Sequence, residues 1–318
     1  MRALPISAIR AVVGLALAGG VAYALWVTWH NPRLEPLAWQ LRPLPLAGGL
    51  ALMLGVALVS VPCWLVIFRQ LGGRLSAWDA LHISLVTNLG KYLPGKVMHA
   101  AGRVAMLQAK GQSISISIAS IAVDVGLSLL AAALVSLLSL PLFLHEYGLT
   151  ENLTALIPVW LLVVPLGLVG LHPKVVRFGL QLCGRVLPGA ALDPATPVPA
   201  YSTIVPMLGA RIGLWLTMAM ALFLTARTVY PLEWGLMPAM SGVAGVSYLF
   251  GLAVPFAPSG IGAREGLMTV LLATMMPAPE AAATSVLFRI VSILSEVLAA
   301  GGVMAASRLR GSQDTPTA

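Results

Sequence analysis

The sequence predicts an all-α polytopic membrane protein, with about six transmembrane helices and two re-entrant helical hairpins arranged as an inverted repeat. Three observations carry that expectation. The 318-residue chain is 58% hydrophobic and only 9% charged. Six apolar runs reach the length of a bilayer crossing. Two further apolar runs are broken near their middle by proline and glycine. A soluble domain carries about 25% charged residues. With so few charges this chain has no polar coat for a core, so lipid must be its outer solvent. Residues 1–318 are accordingly read as a single transmembrane domain.

A crossing needs about 20 mostly apolar residues. The first run, 8–29, follows Arg2 and Arg10 and closes on Trp26 and Trp29. It is long for a signal-peptide core, and the paired tryptophans suit an interfacial belt, so it reads as an uncleaved first helix. The second run is 44–68. The third, 113–144, opens with a polar face of Ser113, Ser115, Ser117 and Ser120. The fourth, 153–171, is bounded by Asn152 and His172-Pro173. Residues 172–200 form a cytoplasmic interfacial loop. Lys174, Arg177 and Arg185 with apolar residues between them suggest a short amphipathic helix, and Pro188, Pro194, Pro197 and Pro199 an extended linker. The fifth and sixth runs are 205–229 and 280–307. A short polar tail follows Arg310.

The broken runs are 77–108, interrupted at Lys91-Tyr92-Leu93-Pro94-Gly95-Lys96, and 237–276, interrupted at Pro255-Phe256-Ala257-Pro258-Ser259-Gly260-Ile261-Gly262. The flanks of each are too short or too polar for two comfortable spans. Non-helical backbone at membrane depth persists only where protein or water satisfies it. A re-entrant hairpin meets that condition.

The distribution of basic residues sets the orientation. With the N-terminus inside, Arg2, Arg10, Arg69, Arg74, Lys110, Lys174, Arg177, Arg185, Arg308 and Arg310 fall on the cytoplasmic side, as does Arg103. Only Arg33, Arg42 and Arg227 fall clearly outside. Both termini are expected in the cytoplasm, the chain in the plasma (inner) membrane of a prokaryote. The two hairpins then enter from opposite faces. Pro94 to Pro258 is 258 − 94 = 164 residues. That shift carries 44–68 onto 208–232 and 113–144 onto 277–308, close to the fifth and sixth runs. One repeat half is therefore about 44–144 and the other about 205–307. Paired interrupted segments in two halves point to a transporter's binding site.

Two clusters hold the candidate site. In the first, Asn88, Lys91, Pro94, Gly95 and Lys96 precede His99 and Arg103. Freed N–H groups at a helix start with two ammonium groups make an anion site, a phosphate being the obvious guest. The plain alternative is that both lysines snorkel to the interface. In the second, Pro258, Ser259, Gly260 and Gly262 precede Arg264 and Glu265. The glycines permit close approach, and Glu265 also suits the positive end of the helix it opens. Asp124, Arg211, Arg289 and Glu296 lie within spans, where charges are costly and face a bundle interior or an aqueous cavity. Arg289 and Glu296 are seven residues apart and share a helix face. Asp124 is expected to partner Arg289 or Lys96. These charges either tie helices together or contact substrate.

Nothing in the chain reads as an enzyme. There is no nucleophile–base set, no metal-ligand spacing around Cys63 or Cys183, and no phosphate loop, so neither a catalytic residue nor a cofactor is expected. The basic balance of 19 Lys+Arg against 11 Asp+Glu is explained by loops and anionic lipid headgroups, not nucleic acid.

The stretch from Asn88 through Pro94-Gly95 to Arg103 and Asp124, with Pro258-Ser259-Gly260-Ile261-Gly262 and Glu265, resembles the transmembrane domain of lysylphosphatidylglycerol synthases over residues 10–308. The chain looks like a stand-alone, flippase-like member lacking the soluble aminoacyl-transfer domain. The resemblance implies a flippase for an anionic or polyprenyl-linked lipid. It is compatible with a homodimer, and with a lipid-modifying enzyme or glycosyltransferase as partner. Lys96 and Ser120-Ile121 stand where relatives often carry a glutamate and a Glu-Arg pair. The alternatives are a secondary transporter of a soluble anion, or a non-transporting scaffold for such an enzyme.

Overall fold

The computed structural model describes residues 42–92, 98–146, 167, 169–170, 172–186, 196–253 and 262–313. Among them every regular element is helical. In chain order these are α1 (Pro43–Gln70), α2 (Ala77–Asn88) running into a 3₁₀ turn (Leu89–Tyr92), α3 (Met98–Ala109), α4 (Ile114–Glu146), α5 (Pro173–Val186), α6 (Tyr201–Val229), a 3₁₀ turn (Trp234–Leu236), α7 (Met237–Ala253), α8 (Ala263–Leu272) and α9 (Ala278–Gln313).

Among the described residues, five helices are long and apolar enough to cross a membrane: Pro43–Gln70, Ile114–Ser139, Tyr201–Val229, Trp234–Ala253 and Ala278–Arg310. Four of them answer the expected runs 44–68, 113–144, 205–229 and 280–307. The expected first helix, 8–29, and nearly all of 153–171 lie outside the described residues. The fifth crossing corrects the reading of the second broken run. Its first flank is too short to span by its apolar run alone, yet with the preceding 3₁₀ turn it forms 20 continuous helical residues. Met237 and Pro238 sit at the start of the helix, where a proline's missing N–H costs nothing.

The first broken run is different. α2 and α3 have 12 residues each, about 18 Å at 1.5 Å per residue, well short of a bilayer core of about 30 Å. Ser76 caps α2 by accepting from Asp79 N at 3.0 Å. Lys110, just past α3, meets Asp79 at 2.7 Å. The outer ends of the two arms are thus held side by side. Near the break, a Cβ on Gly90 would lie 3.0 Å from the His99 backbone, so a side chain there would push the arms apart.

The helix boundaries recur at the 164-residue spacing. The shift carries Met98–Ala109 onto 262–273, against the observed Ala263–Leu272, and Ile114–Glu146 onto 278–310, against Ala278–Gln313. Packing is reciprocal as well. α1 lies against α6, α4 against α7, and α9 against α2. The α4–α7 seam is made by small residues. A Cβ on Gly242 would lie 2.2 Å from Ser139 Oγ, and one on Gly245 would lie 2.1 Å from Ser136 Oγ and 2.9 Å from the Ala132 carbonyl. Such close backbone approach is how helices associate in lipid, where no hydrophobic force drives them together. On the other side, Ala299, Ala300 and Val303 of α9 share a buried cluster with Ala80 and Ile83 of α2, and His82 Nδ1 lies 3.0 Å from Ser307 Oγ.

Candidate functional site

Where these helices meet, they enclose a cavity of about 350 Å³. Its wall draws on α1, α2 and its 3₁₀ turn, α3, α4, α6, α7, α8 and α9, so both broken runs contribute to it. Among the described residues five basic side chains line it: Lys91, Arg103, Arg211, Arg264 and Arg289. Two acidic ones, Asp124 and Glu296, face them. The volume falls within the range of small-molecule sites, about 300–1,000 Å³.

Each charge reaches the wall for a local reason. Arg103 is set by α3 one turn past its start and is 9% exposed. Its Nη2 donates to Ser84 Oγ at 2.9 Å, and its guanidinium lies over the Trp64 ring, 5.0 Å from the centroid. Arg211, on α6, is 7% exposed and is ion-paired with Asp124 of α4. A second Nη2 contact runs to the Ser60 carbonyl at 3.4 Å, two residues before Pro62 interrupts the backbone ladder of α1. Among the described residues the Arg211 Nε has no acceptor.

α9 supplies the other pole. Glu296 is ion-paired with Lys91 and accepts from the Tyr92 hydroxyl at 2.9 Å, fastening the first broken run. Two turns earlier, Arg289 Nη1 lies 3.5 Å from Glu265 Oε1, fastening the second. Glu265 Oε2 also accepts from the Gly262 N–H at 2.7 Å. Gly262 has φ of +85°, a left-handed conformation that glycine adopts without strain. Glu265 therefore caps α8 and holds Arg289 together. Arg264, its neighbour in sequence, instead lies over Tyr248 at 5.6 Å and Phe288 at 5.9 Å.

Of the residues expected in the site, the structure brings together Asn88, Lys91, Arg103, Asp124, Arg264, Arg289 and Glu296 around one cavity, with Gly262 and Glu265 directly behind it. Pro94, Gly95, Lys96, Pro258, Ser259 and Gly260 lie outside the described residues. One pairing differs from expectation: Asp124 is bound to Arg211 and not to Arg289. An arginine in the middle of an apolar span demands a carboxylate at its own depth, and α6 packs directly on α4. The α9 pair also divides its labour, Arg289 and Glu296 each bonding outward to a different segment.

Sequence reasoning left out several wall residues. Trp215 and Tyr248 meet edge to face at 5.0 Å, and Trp215 Nε1 donates to the Ser128 carbonyl at 3.0 Å. Trp64 Nε1 donates to Ser120 Oγ at 3.2 Å. Nothing in the local sequence separates these aromatics from packing residues. Val125 and Leu252, 41% and 45% exposed, belong to the same lining and give the cavity an apolar lip.

Residues 11–300 match the family described as lysylphosphatidylglycerol synthase TM region. No curated protein matches the chain.

Proposed function

Because the chain belongs to the lysylphosphatidylglycerol synthase transmembrane-region family, we propose that it is a lipid flippase whose headgroup site is the basic cavity between its two broken runs. The family and the five apolar helices indicate an integral membrane protein with a lipid-related role. The finer reading is carried by one observation: five basic side chains gathered on a cavity inside an apolar bundle. Charges at that depth are costly and collect where something polar is handled.

The headgroup phosphate would rest against Arg103 and Arg264, while the acyl chains stay in lipid beyond Val125 and Leu252. That apolar lip favours a lipid over a soluble anion, which needs water on its way in. A scaffold that only holds an enzyme partner has no use for a polar cavity. Two inverted halves exposing the cavity alternately to either leaflet would provide the passage.

The test is headgroup translocation in reconstituted vesicles with the wild type and with Arg103→Ala and Arg264→Ala. Both substitutions are expected to abolish translocation while the protein remains folded in detergent. Wild-type rates in both variants would refute the assigned site.

A further inference from the structure

Counting charges on the wall narrows the headgroup. Among the described residues three carboxylates serve the site, and each makes one ion pair: Glu296 with Lys91, Asp124 with Arg211, and Glu265 with Arg289. Arg103 and Arg264 make no ion pair among the described residues; Asp124 and Glu265 act on them only at longer range. Arg103 is held by the neutral Ser84 and the Trp64 face, and Arg264 by aromatic faces. Both are guanidinium groups, which do not deprotonate in proteins. The two breaks cannot restore neutrality, because the one charged residue in 93–97 and 254–261 is Lys96, also positive.

We propose that the headgroup ends in a phosphate monoester, whose two negative charges match the excess of two positive charges that remains once the three ion pairs are formed. This deepens the flippase reading and rests on it. A monoester carries about −1.5 to −2 at neutral pH, with three terminal oxygens. Each guanidinium fork can take two of those oxygens side by side. A phosphodiester brings one charge and leaves one arginine uncompensated in a low-dielectric wall. An aminoacylated headgroup, the kind that the family description names, adds an ammonium group and would be repelled. The monoester could belong to a lipid or arrive as free phosphate, and the site chemistry is shared by the two.

The experiment compares phosphatidic acid, phosphatidylglycerol and lysylphosphatidylglycerol, each diluted in phosphatidylcholine. Translocation is read in vesicles, and the thermal midpoint of purified full-length protein in detergent micelles. Inorganic phosphate is the soluble arm. Phosphatidic acid is expected to be favoured over phosphatidylglycerol by about tenfold or more, the effect of one extra charge pair in a protein environment, with the lysylated lipid weakest. Arg103→Gln and Arg264→Gln should each bring that ratio towards one. Arg264→Lys, which keeps the charge, should retain most of it if Arg103→Gln fails to fold. Equal handling of phosphatidic acid and phosphatidylglycerol overturns the headgroup assignment and leaves the flippase reading standing. A midpoint raised selectively by phosphatidic acid, with no lipid translocated, supports the headgroup assignment and removes the flippase reading. Stabilisation by inorganic phosphate with none by phosphatidic acid overturns the lipid monoester.

Discussion

Replacing Glu296 by glutamine should move stability and anion affinity in opposite directions. Glu296 holds Lys91 and Tyr92, so its charge supports the fold while offsetting part of the positive field in the cavity. Glutamine keeps the shape and one acceptor for the Tyr92 hydroxyl but leaves the Lys91 ammonium without its counter-charge. Breaking a fully buried pair costs about 3–5 kcal/mol, and an exposed pair contributes about 0–1 kcal/mol. The side chains of Lys91 and Glu296 are 29% and 12% exposed. An intermediate loss of roughly 2 kcal/mol follows from those two limits. The same change removes one negative charge from the wall. Unit charges about 4 Å apart near a protein surface interact by about 4 kcal/mol, so a phosphate at twice that separation gains about 2 kcal/mol. That is roughly a thirtyfold tighter Kd. Thermal unfolding in detergent, with and without inorganic phosphate, reads both effects in one titration. The variant should start at a lower midpoint and gain more from phosphate than the wild type. A variant that loses midpoint and phosphate response together would refute the reasoning, because Glu296 would then be a ligand contact and not a counter-charge.

Three further outcomes can be checked alongside it. Gly242→Ala should destabilise by about 1–3 kcal/mol through overpacking, and Ser139→Ala in the same chain should recover most of the loss by deleting the hydroxyl that the new Cβ strikes. Gly245→Ala should not be rescued by Ser136→Ala, since the Ala132 carbonyl still lies 2.9 Å from the added carbon; thermal midpoints of the singles and doubles decide this. At the loop end of α2, outside the five candidate spans, the Lys110 ammonium and the Ser76 hydroxyl hold the Asp79 carboxyl below the usual carboxylate range. Its contribution is fully present above the unfolded value of about 3.9 and is lost as pH falls through the lowered folded value. Asp79→Asn should therefore flatten the acid limb of a midpoint-versus-pH profile.

Much of the fold was legible because lipid imposes a simple rule on sequence. Long apolar runs become helices, and the runs at 44–68, 113–144, 205–229 and 280–307 appear within a few residues of their expected limits. The second broken run was read less well. Counting apolar residues on either side of Pro255 makes the first arm look short, but the structure starts it at Trp234, drawing on the loop-like Trp234-Gly235-Leu236. The gathering of charges was legible from their expense, whereas their pairing was not. Arg264 and Glu265 are adjacent in sequence, yet consecutive helical residues point about 100° apart, so the two reach different neighbours. Asp124 found Arg211 because of which helices touch, a tertiary fact with no local signal. Trp64, Trp215 and Tyr248 were invisible for the same reason.

Arg289 and Glu296 make α9 a measuring stick as well as a crossing. Their seven-residue separation fixes both the height, about 10 Å, and the angular phase at which the two broken runs attach. An inserted residue between them would turn one attachment by about 100° and lift it by about 1.5 Å while leaving the other in place. The spacing of two side chains on one helix thereby sets the alignment of two segments more than 150 residues apart in the chain, and the length of that seven-residue interval is as much a part of the site as the charges at its ends.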